Sequence, residues 1–210
     1  MKCALSFLAV FFIFFYLFFS NGIFMKSFFI FSILGLTSMN YAYAQAPSSL
    51  TSNITIEDIN HHQTKWCDAL INISKTYQDN GLAEAKKQAS QMIDEQYLIT
   101  DGDLLFKPTL SQTPQTFRTT KEGALAYFVG DNPNFPNDKG FALKGWKKCN
   151  IENYVVKNLG NTALVMGKTH LEDKYGKTTN VDKTWGFVKD QAGNLRVFLH
   201  HSSLEYQPQK

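Results

Sequence analysis

No aspartate or glutamate occurs in the first 44 residues, and Lys2 and Lys26 are their only lysines. The same segment holds 11 of the 18 phenylalanines. An uncharged run such as Phe11-Phe12-Ile13-Phe14-Phe15 does not belong in a soluble core; it suits lipid or a translocon. Ala42-Tyr43-Ala44 closes the segment with the small-x-small form of a signal peptidase site. Met25-Lys26 followed by Phe28 to Leu36 is a complete signal peptide by itself, so residues 1–24 are surplus. Either translation starts at Met25, or Leu5 to Phe19 adds a hydrophobic anchor. The first is preferred, because two apolar runs before one cleavage site serve no evident purpose. The pattern therefore predicts a periplasmic or secreted protein cleaved near Ala44-Gln45, with no stable membrane insertion afterwards. The competing outcome is an uncleaved anchor carrying a tethered domain.

The remaining chain, Gln45–Lys210, has little excess charge: 19 Lys and Arg against 18 Asp and Glu leave +1, which gives no basis for a nucleic-acid partner. It keeps only two cysteines, Cys67 and Cys149. In an oxidising compartment these could form one disulfide, or they could be two small buried hydrophobes, and the sequence leaves that open. It has no C-x-x-C, H-x-H or H-E-x-x-H, and His61, His62 and His170 are scattered over different elements. A three-histidine metal site would need distant convergence. No internal repeat or low-complexity tract follows residue 55.

What is present reads as a flexible linker over residues 45–54 and one domain over residues 55–206. Thr55 caps a helix with Glu57 and Asp58 in its first turn, and Ile56, Ile59, Trp66, Leu70, Ile73 and Tyr77 form its apolar stripe. Asn80-Gly81 ends it, and a second helix runs from Leu82 to Tyr97. After the Asp101-Gly102-Asp103 turn a short strand spans Leu104 to Thr109. Thr119-x-x-Glu122 reads as a capping box opening a third helix to Val129. Four long strands follow, about Lys144–Lys157, Ala163–Asp173, Thr178–Lys189 and Leu195–Ser203, joined by short turns that imply antiparallel hairpins. Helices first and a meander last predict an α+β fold, with the helices on one face of a curved antiparallel sheet.

Three segments offer chemistry. Alternation along the last strand puts Phe198, His200 and Ser202 on one face and Leu199, His201 and Ser203 on the other. The His200-His201 doublet therefore cannot share one metal without a bulge, whereas His200 and Ser202 can grip one small polar ligand. In the third helix Gly123 and Ala124 leave bare surface beside Tyr127, so its ring can overhang a cavity. Thr109, just after Pro108, can turn its hydroxyl into the concavity of the sheet.

Together the segments resemble the iota-class carbonic anhydrases, whose domain is similar to the calcium/calmodulin-dependent kinase II association domain and has the cone-shaped nuclear transport factor 2-like fold. The blocks that carry the resemblance are Leu105-Phe106-Lys107-Pro108-Thr109, Phe117-Arg118-Thr119-Thr120-x-x-Gly123-Ala124-x-x-Tyr127-Phe128, Asp138-Lys139-Gly140-Phe141-Ala142-Leu143-Lys144-x-Trp146, and Leu199-His200-His201-Ser202-Ser203-Leu204. One departure is Glu205, where proline is expected before Tyr206. The resemblance implies reversible hydration of carbon dioxide to bicarbonate. It implies Thr109, Tyr127 and Ser202 as substrate-holding hydroxyls, with His200 beside them to orient the network or shuttle the proton. That class is divided, some members being described as manganese- or zinc-dependent and others as metal-free; no cofactor is the preferred expectation for this sequence, with manganese or zinc the alternative. The competing reading is a non-catalytic small-ligand-binding or oligomerisation module of the same fold. An outer sheet face rich in Val, Thr and Tyr suits a homodimer.

Overall fold

The computed structural model describes residues 53–99 and 103–208. The expected leader, its cleavage site, most of the linker and the start of the Asp101 turn lie outside the described residues.

Helix α1 spans Ile56–Asn80. Thr55 caps it as expected: its hydroxyl accepts from the Asp58 amide while the Asp58 carboxylate accepts from the Thr55 amide, each at 3.0 Å. Gly81, at φ 85°, ends it by adopting a backbone that L side chains rarely take. Ile59, Trp66, Leu70 and Ile73 are buried, but Ile56 and Tyr77, at the two ends of the predicted stripe, are exposed. Ile54, assigned to the linker, is buried, and its amide donates to the Gly160 carbonyl at 2.9 Å. Helix α2, Leu82–Gln96, packs against α1.

Helix α3 is Lys121–Val129, and its cap is Thr120, not the Thr119 expected. The Thr120 hydroxyl accepts from the Gly123 amide at 3.1 Å. Glu122 is therefore in the first turn rather than at the third position, and its carboxylate accepts instead from the Asn132 and Asn134 amides. Two consecutive threonines made both frames possible; the acidic residue favoured the wrong one.

The strands are β1 (Leu105–Lys107), β2 (Trp146–Asn158), β3 (Thr162–Asp173), β4 (Thr178–Lys189) and β5 (Leu195–Ser203), in sheet order β1-β5-β4-β3-β2. The α+β class is as expected. The sheet is not wholly antiparallel, however: β1 pairs in parallel with β5. Hairpin logic speaks only for consecutive strands, and β1 is separated from β5 by α3 and the whole meander. Strand β1 is also shorter than predicted, so Thr109 lies in a turn beyond it.

A bulge changes which residues of β5 face inward. Gly186 pairs with Leu199 but Phe187 pairs with Val197, so Phe198 is the extra residue. Its ring lies over Gly186, where an added Cβ would come within 2.6 Å of it. The inward row is consequently Val197, His200 and Ser202, all buried, and Phe198 leaves the His200 face. Period-2 counting fails across a bulge because one residue is inserted without a partner.

Cys67 on α1 and Cys149 on β2 are joined by a disulfide, with Cα atoms 5.4 Å apart. The bond ties the first helix to the far edge strand across 82 residues. Closing a loop of that length restricts the unfolded chain by about 4 kcal/mol in the chain-entropy picture. Replacing both cysteines by serine is expected to lower unfolding stability by about 2–4 kcal/mol, measured by denaturant melts with thiols excluded.

Candidate active site

His200 sits at the centre of the inner sheet face because its strand is paired on both sides. Register places Phe106 of β1 on one flank and Trp185 of β4 on the other. Their rings stack on the imidazole at centroid distances of 4.7 and 4.2 Å. Trp66 of α1 closes the third side edge-on at 5.7 Å. An imidazole so enclosed must satisfy both nitrogens within the protein. Nδ1 is 2.9 Å from the Tyr97 hydroxyl, which accepts from Trp66 Nε1 at 2.9 Å. Nε2 is 3.1 Å from Ser202 Oγ and 2.5 Å from Lys183 Nζ. Lys107 donates to the Ser202 carbonyl at 2.9 Å, fixing that end of the strand.

Three of these partners escaped the sequence reading. Tyr97 follows α2 as its C-terminal cap and was counted as helix. Helical periodicity marks Trp66 only as part of an apolar stripe. Lys183 could have been found by alternation, since Val181, Lys183, Trp185 and Phe187 form the buried row of β4. A lysine in an otherwise apolar inward row is the signal.

The second half of the site is the Thr109–Tyr127 pair, both buried. The Tyr127 ring stacks on Phe141 at 5.3 Å and stands edge-on to Phe106 at 5.6 Å. Its hydroxyl lies near the Thr109 hydroxyl and the Thr109 and Leu110 backbone, yet makes no hydrogen bond of adequate geometry. The surface beside Gly123 is not bare. Phe135 and Arg118 fill that space, an added Cβ there meeting them at 3.0 and 3.2 Å. What Gly123 permits is close packing of a loop, not a pocket.

A buried ion pair supports this half. Arg118 donates to Asp138 twice, Nε to Oδ2 at 2.9 Å and Nη2 to Oδ1 at 2.6 Å. The Arg118 amide also donates to the Phe106 carbonyl at 2.8 Å. One residue thus links β1, through its backbone, to the loop that carries Phe141 beneath Tyr127, through its side chain. Phe106 is the bridge between the halves, touching both the Tyr127 and the His200 rings. No hydrogen bond joins Thr109 or Tyr127 to His200 or Ser202 among the described residues.

Burial dominates the electrostatics. It raises the Tyr127 and Tyr97 hydroxyls above the usual phenol range, so both stay protonated at neutral pH. It pushes His200 well below its ordinary value, with the neighbouring Lys183 and His201 adding to the effect. Lys183 is lowered for the same first reason. Its Nζ lies 4.5 and 5.0 Å from the Trp66 and Trp185 ring centroids. Each indole face offers a desolvated cation about 2 kcal/mol. The opposing cost of burying an ammonium is several kcal/mol, and burial prevails.

The other histidines serve no common centre. His61 and His201 are exposed, and His170 lies beside Asn180 and Glu152 on β3. His62 is buried against Phe187. Among the described residues no three His, Cys, Asp or Glu side chains gather where they could hold a metal ion.

A five-stranded sheet packed on helices, with His200 and Ser202 buried on its inner face and Thr109 and Tyr127 buried beside Phe106, defines an α+β protein of the expected class. Residues 57–204 match the family described as metal-independent carbonic anhydrase, and the chain belongs to that family. A metal-independent carbonic anhydrase from Nostoc sp. (strain PCC 7120 / SAG 25.82 / UTEX 2576) is 52% identical over 154 residues, covering 73% of this chain and 75% of that one. The crystal structure of a cyanobacterial iota-carbonic anhydrase complexed with bicarbonate matches at 51% identity and a TM-score of 0.73, covering 74% of this chain and 95% of that one. A nuclear transport factor 2-like superfamily protein from Salmonella enterica matches at 10% identity and a TM-score of 0.42, over 77% of this chain and 95% of that one.

The buried histidines make stability acid-sensitive. Burial lowers His62 to about 4, so between its unfolded value and that point the unfolded chain binds more protons. Stability is therefore full above about pH 6.5 and falls on acidification, by roughly 3 kcal/mol at pH 4. His200 acts in the same direction and carries the loss further down. Urea melts from pH 8 to pH 4 are expected to trace this decline, and His62→Phe to make it shallower.

Proposed function

We infer that the chain catalyses the reversible hydration of carbon dioxide to bicarbonate, without a metal ion, through Thr109, Tyr127, Ser202 and His200. The observation that carries this reading is the Tyr127 hydroxyl: buried, held protonated and making no hydrogen bond of adequate geometry, close to the Thr109 hydroxyl. A buried unpaired donor is costly, and a bicarbonate oxygen is an acceptor of the right kind. Membership of the metal-independent carbonic anhydrase family supports the same conclusion.

In the mechanism, carbon dioxide rests against the apolar walls given by Phe106, Phe141 and Trp185. Thr109 and Tyr127 donate to the oxygen on which negative charge develops. Ser202 holds the attacking water and passes its proton toward His200 Nε2, 3.1 Å from Ser202 Oγ. The water oxygen bonds to carbon as one C–O π pair moves onto oxygen.

Tyr127→Phe and Ser202→Ala are each expected to lower kcat/KM for hydration at least tenfold with the melting temperature nearly unchanged. Full activity in both would overturn the assignment. A strong chelator should leave the rate unchanged; activity that a chelator abolishes and manganese restores would refute the metal-free part. A purified wild-type domain with no hydration activity would favour the non-catalytic module.

The leader and Ala42-Tyr43-Ala44 support a periplasmic or secreted location, which fractionation of a tagged full chain tests. The outer sheet face supports a homodimer. Val155 pairs with Met166 across β2 and β3, and with Tyr154 and Leu164 they leave a broad apolar surface exposed. A second copy is the simplest cover for such a face. Light scattering is expected to give twice the domain mass, and Met166→Asp to shift it toward monomer.

A further inference from the structure

The reaction just proposed turns two neutral molecules into an anion and a proton. Thr109, Tyr127 and Ser202 are uncharged, and Arg118 is already committed to Asp138. Bicarbonate formed among aromatic rings needs a positive charge nearby, and the proton needs somewhere to stay until solvent takes it.

One arrangement in the site meets both needs. Lys183 Nζ and His200 Nε2 are 2.5 Å apart, both buried, and Nε2 also touches Ser202 Oγ. Two nitrogens that close cannot both place a hydrogen on the line between them, so at most one proton lies there. The pair is neutral or singly charged, never doubly charged. Tyr97 Oη accepts the Trp66 N–H and has a second lone pair for a hydrogen on His200 Nδ1. In the tautomer that carries its hydrogen on Nδ1, Nε2 turns its lone pair to Ser202 and Lys183. The two indole faces beside Nζ then favour the cation once it forms.

We propose that Lys183 and His200 together hold the proton released by hydration, so that bicarbonate forms beside a cation the site makes for itself. Lys183 is a positioning residue, acting on the substrate through His200 and Ser202. The inference rests on the carbonic anhydrase reading. As the water oxygen bonds to carbon, the water proton passes to Ser202 Oγ, the Ser202 hydrogen passes to Nε2, and the charge is shared with Nζ. Dehydration runs the same steps backward.

The groups facing the pair are few. From α1 comes Trp66 and from the end of α2 Tyr97, whose phenol stays protonated. From β1 come the uncharged Phe106 and, at the Ser202 carbonyl, the Lys107 ammonium. From β5 comes His201, exposed on the outer face and opposing charge on His200. Asp182, next to Lys183 on β4, pairs on the outer side with Lys168, which also meets Glu205. No carboxylate contacts the pair among the described residues, so bicarbonate is its counter-ion.

Calorimetric titration of wild-type protein with sodium bicarbonate, in buffers of different ionisation enthalpy, tests this directly. About one proton should be taken up per bicarbonate bound at pH 8; no uptake overturns the proposal. In parallel, 15N-lysine spectra should move one buried neutral-amine signal to the ammonium position on saturation, and a signal that stays put overturns the part played by Lys183. Lys183→Arg, a cation that cannot give up its proton, should keep bicarbonate binding within threefold but lose at least tenfold in kcat. Lys183→Met should weaken bicarbonate binding at least tenfold and displace the acid limb of the kcat/KM profile. A wild-type rate in Lys183→Arg, or a wild-type profile in Lys183→Met, overturns it. The two spectroscopic and calorimetric readings use wild-type protein and stand even if a variant fails to fold. Inactive wild-type protein would instead sink the carbonic anhydrase reading itself.

Discussion

His200 is 1% exposed between β1 and β4, and both of its ring nitrogens have partners. Enclosing a polar ring this deeply is tolerable only if each nitrogen is paired, and every pairing fixes another element. Nδ1 fixes Tyr97, and through it Trp66 on the first helix. Nε2 fixes Ser202 along its own strand and Lys183 on the next. The stacked rings on either flank require a strand on each side of β5, which is why the three-residue β1 belongs to the architecture despite its length. Removing β1 would expose one face of the imidazole and unseat Phe106, the ring that connects the two halves of the site.

The same constraint explains what lies around the pocket. Phe106 must be held, and the Arg118 backbone holds it while the Arg118 side chain holds Asp138. Asp138 leads to Phe141, and Phe141 supports Tyr127. A buried arginine–aspartate pair contributes little net stability by itself, since desolvation offsets most of the attraction. Its value here is positional: it keeps a loop and a strand in one register. Aromatic packing then leaves the Tyr127 hydroxyl without a protein acceptor, which is the feature a small oxyanion can use.

Much of this was legible in the residues. Thr55 and Gly81 bound the first helix as their chemistry predicts, and the short turns correctly ordered β2 to β5. Alternation separated His200 and Ser202 from His201, and that division holds, since the first two are buried and His201 is exposed. It failed at Phe198, because the bulge opposite Gly186 is a property of two strands read together. It failed at Thr119 because two adjacent threonines compete for one cap and only the path of the chain chooses between them. Gly123 was read as space, when Phe135 comes from another segment to fill it. The Cys67–Cys149 bond was left open, since only the approach of α1 to β2 brings the two sulfurs together.

The sequence by itself determined the class of fold and the inward His200 and Ser202, because each rests on local periodicity. Tertiary structure alone decided the parallel β1–β5 pairing and the partners of His200. Tyr97 and Lys183 lie 103 and 17 residues from it. Alternation marks Lys183 as inward, but only the packed strands bring it to His200, and its own burial lowers its proton affinity.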